Sequence, residues 1–186
     1  MSVQIAKRYF NVSEYYRMAE AGILTADDRV ELIDGEIVKM SPIGSQHAAC
    51  VKRLNQILQQ QFGATAVIGV QDPVRLNEFS EPEPDVTLLR ARSDFYAQQH
   101  PTPADVLLLI EVSDTTVLYD RNIKVPLYAR AGVPEVWLID LQQEIIEVYA
   151  QPAGGAYQVQ RQAQRGEQVQ AETIAQLSLN VDDILG

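Results

Sequence analysis

Residues 105–112, Asp-Val-Leu-Leu-Leu-Ile-Glu-Val, constrain this chain more than any other segment. The run is apolar on both alternating faces, so a strand made from it has no side to give to water. It reads as the buried central strand of a sheet that other elements must cover above and below. Further apolar segments at 65–71, 85–89 and 134–140 supply neighbours for it.

Helical spacing is clearest in residues 45–62. There Val51, Leu54, Leu58 and Phe62 share one side, Ser45 is the expected cap and Gly63 the expected left-handed terminus. A shorter helix is predicted over 13–21, capped by Ser13 and stopped by Gly22. Val30 to Met40 reads as a hairpin turning at Asp34-Gly35. Residues 94–99 predict a short helix, and 119–131 a longer one ending at Gly132. Pro126 disfavours helical geometry at Val125, so that helix starts or kinks near Lys124. A hairpin of Ile145–Tyr149 and Tyr157–Arg161 around Gly154-Gly155 and a short strand or turn at 177–185 complete the chain. The order is helix, hairpin, helix, strands, helix, strands. It gives an α/β class (mixed α+β): a mixed sheet flanked by helices, in one domain over 1–186.

No run of about 18 apolar residues is present, which predicts no membrane span. Residues 1–8 lack an apolar signal core, and one cysteine, Cys50, excludes an intrachain disulfide or a Cys-cluster zinc site. A cytoplasmic location is expected. With 15 basic and 25 acidic residues the net charge is −10, which argues against non-specific coating of nucleic acid. It leaves room for an enzyme that gathers carboxylates around a divalent cation.

Two acids stand in apolar context. Asp85 follows Pro84 and opens the strand 85–89, and Glu111 closes the strand 105–112. A lone buried carboxylate costs several kcal/mol unless something compensates. Each acid therefore either ends its strand at a solvated rim or binds something positive. Two such ends side by side make a site for a hard, oxygen-loving cation, with the Val112 carbonyl as a third ligand. Lys124, 13 residues after Glu111, is placed to stabilise charge developing on a phosphate, or else forms an ordinary helix ion pair with Asp120. His47 falls on the apolar side of its helix, as a core residue with a polar handle or as a proton carrier or phosphate contact. Trp137, Tyr128 and Tyr119 read as packing residues, and Cys50 as buried and inert.

The ordered set Glu31-Leu-Ile-Asp-Gly-Glu36, Ser41-Pro42, His47, Pro84-Asp85-Val86, Ile110-Glu111-Val112-Ser113, Asp120 with Lys124, Tyr128 to Val133, and Val136 to Asp140 spans nearly the whole chain. It resembles the Uma-two family of restriction-endonuclease-like proteins, within the PD-(D/E)XK nuclease superfamily. The resemblance implies a restriction-endonuclease-like core and often a homodimer. It implies Mg2+ (or Mn2+) as cofactor, DNA as substrate, and metal ligation by Asp85 and Glu111. The superfamily lysine two residues after the acid is replaced here by Ser113, and a lysine displaced onto the next helix matches Lys124. Glu31 matches the early acid of the family, supporting a second ion or the attacking water, or else it is a surface acid.

The reading that emerges is a metal-dependent endonuclease acting on DNA, with Glu31, Asp85, Glu111 and Lys124 as its catalytic set and Asp85, Glu111 and Val112 as metal ligands. The alternative, favoured by Ser113 and the acidic charge, is a catalytically inactive nuclease-fold binding module. A glycosidase using paired carboxylates is a weaker third reading, since one tryptophan offers little sugar platform. Local basic surface for DNA would come, in a dimer, from Lys52, Arg53, Arg90, Arg92, Arg121 and Arg130.

Overall fold

The computed structural model describes residues 6–25 and 27–186. The reading of residues 1–8 as free of a signal core falls mainly on residues 1–5, outside the described residues. The elements run α1 (Val12–Glu20), β1 (Val30–Ile33), β2 (Glu36–Lys39), α2 (Ser45–Phe62), β3 (Ala66–Gly69), β4 (Val86–Arg90) and β5 (Val106–Ser113). A helical segment follows, made of α3 (Val117–Tyr119), a π turn (Asp120–Lys124) and α4 (Val125–Ala131). Then come β6 (Glu135–Asp140), β7 (Ile145–Ala153), β8 (Ala156–Gln164), β9 (Gln168–Gln170), β10 (Ser178–Asn180) and α5 (Val181–Leu185). Among the described residues no helix is long and apolar enough to cross a membrane.

Six strands form one mixed sheet in the order β3-β4-β5-β6-β7-β8. Only β5 and β6 run parallel, joined by the helical segment, and the other neighbours are antiparallel. The apolar run is indeed central: Leu108, Leu109 and Ile110 are fully buried. Strand alternation sends Leu108, Ile110 and Val112 to one face, with Trp137 and Ile139, against Cys50, Val51, Leu54 and Leu58 of α2. Leu109 and Leu138 go to the other, against Val125, Leu127 and Tyr128 of α4 and Ile33 of β1. Glu111 and Ser113 share the parity of Leu109, so the sheet presents them toward α4.

Local chemistry explains where the elements begin and end. The β1–β2 hairpin turns through Asp34 (φ 46°) and Gly35 (φ 79°), the left-handed pair of a tight hairpin turn. A Cβ on Gly35 would sit 2.6 Å from the Cβ of Tyr9, so this position requires glycine twice over. α1 is capped by Asn11 and not by Ser13. The Asn11 side chain accepts from the Glu14 amide at 2.8 Å and the Glu14 carboxylate accepts from the Asn11 amide at 3.2 Å, a reciprocal box that Ser13 is too late to make. Gly44, one residue before Ser45, occupies the N-cap of α2, and Gly63 ends it in right-handed geometry (φ −59°). Residues 94–99 form turns, not a helix. Phe95 and Tyr96 both take positive φ (50° and 64°), which no right-handed helix accommodates, while Arg92 grips both oxygens of Asp94. The β7–β8 hairpin is longer than its apolar core suggests, because β8 is an edge strand whose outward residues are polar. The C-terminal stretch pairs as β9–β10 before α5 packs on α2.

Candidate active site

Antiparallel pairing of β4 and β5 sets Val86 opposite Ile110. The start of one strand thus lies beside the end of the other, and this juxtaposition brings Asp85 and Glu111 together. Asp85 is tightly held. Its Oδ2 accepts from the Val112 amide at 2.9 Å, and its Oδ1 accepts from Gln71 Nε2 at 3.1 Å and lies 3.0 Å from His47 Nε2. The other ring nitrogen of His47, Nδ1, is buried and has no hydrogen-bond partner among the described residues.

Glu111 faces α4 and its neighbours. Its Oε1 accepts from the Tyr128 hydroxyl at 2.5 Å and lies 3.0 Å from Lys124 Nζ. The same ammonium lies 3.1 Å from Glu31 Oε2 on β1, an oxygen that also accepts from the Glu83 amide at 3.2 Å. Lys124 therefore bridges Glu31 and Glu111, and all three groups are buried. Burying an ammonium is costly unless it is paired, and here two carboxylates supply the pairing.

The π turn accounts for the place of Lys124. Its winding is wider than that of an α-helix, so Asp120 and Lys124 are not stacked as they would be four residues apart in one. The alternative of an ordinary Asp120–Lys124 helix pair is accordingly not formed. Asp120 Oδ2 accepts from Ser113 Oγ at 2.5 Å and Thr116 Oγ1 at 2.7 Å. On the far side Arg121 donates to Glu147 from Nε and Nη2 (2.8 Å at the closest) and reaches Asp140 at 3.5 Å. Ser113 carries no charge, yet it ties the π turn to the end of β5.

The residues line a cleft of about 340 Å³ that includes Glu31, His47, Gln71, Asp85, Glu111 and Lys124. Acids dominate it: Glu31, Asp85, Glu111 and Asp120 are all buried. Burial raises the Glu111 carboxyl, Lys124 pulls it back, and Asp120, Asp85 and Glu31 push it up again, to about 8. Burial also works against the Lys124 ammonium, but Glu111, Glu31 and Asp120 outweigh it and hold it well above its ordinary value. The hydrogen bond to Asp85 raises His47, against the opposing effect of burial. Cys50, on the other face, has a thiol pushed up by burial to about 12, as suits an inert core residue.

The raised Glu111 carboxyl makes stability depend on pH. The folded chain keeps a proton on Glu111 that the unfolded chain, with an ordinary value of 4.5, gives up. The resulting stabilisation is complete below the unfolded value and drains away as pH rises through about 8. In metal-free buffer the urea midpoint should fall between about pH 5 and pH 8, and Glu111→Gln should flatten that fall. Equal falls in both proteins would show that another group is responsible.

All five residues of the expected set, Glu31, Asp85, Glu111, Val112 and Lys124, meet in this cleft. Nothing in the sequence singles out Gln71 or Glu83, and Tyr128 reads there as a packing residue only. Tyr128 does pack, fully buried, but its hydroxyl also serves Glu111. Of the six basic residues expected to face DNA, Arg92, Arg121 and Arg130 pair with acids, and Arg53 donates to the carbonyls of Ile184 and Leu185.

Among the described residues no three His, Cys, Asp or Glu side chains converge closely enough to hold an ion unaided. Two carboxylates on adjacent strand ends still suit Mg2+. That ion takes one or two carboxylates and fills its remaining positions with water and substrate phosphate. The hydrogen bonds of Glu111 fall on Oε1, leaving Oε2 for such a role.

No protein with a curated description matches the chain. A crystal structure from Anabaena variabilis, described as "a putative nuclease belonging to DUF820", superposes with a TM-score of 0.71 over 95% of this chain and 97% of that one, at 14% sequence identity. The two therefore share a fold. The family model described as "Putative restriction endonuclease" matches residues 12–182, and the chain belongs to that family, Uma2.

Proposed function

We propose that the chain is a Mg2+- or Mn2+-dependent endonuclease that hydrolyses DNA phosphodiester bonds. Asp85 and Glu111 would hold the ion with the Val112 carbonyl. The same reading takes residues 1–186 as one domain working as a cytoplasmic homodimer. The observation that carries it is the meeting of two buried carboxylates at adjacent strand ends with a buried lysine between acids.

Hydrolysis adds the oxygen of water to phosphorus and breaks one P–O ester bond, leaving a phosphomonoester and a hydroxyl. A divalent cation supplies neutralisation of phosphate charge and acidifies water. Asp85 is oriented by Val112, Gln71 and His47, so it offers a fixed lone pair direction. Lys124 keeps its proton beside Glu111 and Glu31, so it acts as a cation on the developing phosphate charge and not as a base. Glu31 holds that ammonium in place and faces the cleft where a water would be positioned.

A second reading, an inactive binding module, is favoured by one observation: Lys124 already places a positive charge between Glu31 and Glu111. Calorimetric titration with Mg2+ and Mn2+ separates the two. The natural chain should bind one of these ions at a site that Asp85→Ala abolishes. The same preparation should nick supercoiled plasmid only when the ion is present. Ion binding indifferent to Asp85→Ala, with no cleavage, would leave the binding module as the better account.

A further inference from the structure

Beside the cleft lies a second cavity, of about 780 Å³, walled by Tyr15, Tyr16 and Ala19 of α1, Pro73, and Glu81. Four residues line both cavities: Arg29, Ile43, Gln71 and Glu83. Gln71 lines both spaces, and its amide also donates to Asp85. Whatever enters the second cavity is thus an immediate neighbour of the reacting centre.

Two of the shared residues carry backbone strain. Arg29 (φ 43°) and Gln71 (φ 55°) are both left-handed, and neither is a glycine or an asparagine. Such conformations cost on the order of 1 kcal/mol each and persist where the surroundings over-determine them, commonly at binding sites. Here they aim one polar side chain and one cation at the junction of the two spaces.

The lining matches a flat heteroaromatic group with polar edges. Tyr15 and Tyr16 meet edge to face with centroids 5.9 Å apart, and Pro73 and Ile43 add apolar surface. Carboxylates at Glu81 and Glu83 and the Gln71 amide offer acceptors for exocyclic amino groups, while acidic walls disfavour a phosphate inside. Arg29, at the junction, is placed for the phosphate that joins the occupant to its neighbour.

We propose that this second cavity is a nucleoside subsite that takes the base flanking the scissile phosphate, so that the protein cuts where a base is unpaired. The proposal rests on the nuclease reading. Within a regular duplex a base cannot leave the stack for a side cavity without losing its pairing and stacking, a loss smallest at mismatches, bulges and single strands.

The test reads binding first and cleavage second. Deoxyadenosine monophosphate is titrated into the natural chain and into Ala19→Trp, with NMR following the Tyr15, Tyr16 and His47 signals. Ala19 is exposed on α1, so the indole fills the cavity mouth without entering the core. The nucleotide should shift Tyr15 and Tyr16, and Ala19→Trp should weaken its binding at least tenfold. A duplex with one unpaired adenine should be cut at least tenfold faster than its fully paired counterpart, a preference lost in Ala19→Trp while Mg2+ affinity is unchanged. Shifts confined to His47, or binding equal in the two proteins, would overturn the subsite. Failure of the natural chain itself to bind Mg2+ would instead overturn the nuclease reading, with nucleotide binding still deciding on the cavity.

Discussion

Asp85→Asn and Glu111→Gln should each lower ion-dependent DNA cleavage by about a thousandfold while the protein stays folded. The amides keep the shape of the carboxylates but not the negative charge that attracts a hard cation. Asp85 makes its three contacts through both oxygens, so an asparagine side chain there preserves one face of them and loses the charge-assisted bond to His47. Glu111→Gln removes a carboxyl that burial and three neighbouring acids already disfavour in its charged form. Its stability should therefore hold at neutral pH even as activity disappears. Steady-state cleavage of supercoiled plasmid with urea unfolding on the same samples makes the measurement. Cleavage within tenfold of the natural chain in both variants would remove these acids from the reaction.

Lys124→Met should be nearly as damaging to cleavage, by about a hundredfold or more, and far more damaging to the fold. Methionine matches the length of the stem but leaves Glu31 and Glu111 facing each other without the ammonium between them. Breaking a buried pair by removing one partner costs about 3–5 kcal/mol. The two carboxylates can relieve the repulsion by taking up a proton, so the loss should be greater at pH 8 than at pH 5. Urea unfolding at both pH values checks the sign. A loss independent of pH would mean that packing, not charge, is what Lys124 contributes.

The sequence made the centre of this protein unusually legible. The doubly apolar run 105–112 announced its own burial, so an acid at its end had to be either solvated or functional. Asp34-Gly35 specified a turn by conformational chemistry alone. Pro126 marked the irregular helix geometry near Lys124, where the π turn gives way to α4, whereas the role of Lys124 as a displaced lysine came only from the family resemblance. What stayed hidden were contacts that depend on distant residues meeting. Gln71 is no turn residue by composition, and only the folded chain shows its left-handed backbone and its bond to Asp85. The Tyr128 hydroxyl finds Glu111 across the gap between α4 and the sheet, where hydropathy sees only an aromatic ring. Residues 94–99 failed for the opposite reason. Their composition is helical, and the Arg92–Asp94 pair with two left-handed residues overrides it.

The π turn at 120–124 has a consequence for inheritance. A π turn is an α-helix with one residue too many, and each residue in an α-helix advances the chain by about 100°. Loss of a single codon there would restore regular winding and rotate Asp120 and Arg121 away from Ser113 and Glu147, or Lys124 away from Glu31 and Glu111. A lineage could lose the alignment of this centre while every acid and the lysine remained in its gene. Comparisons that score only the presence of those residues would count such descendants as intact; the spacing between Ser113 and Lys124 is the character to compare.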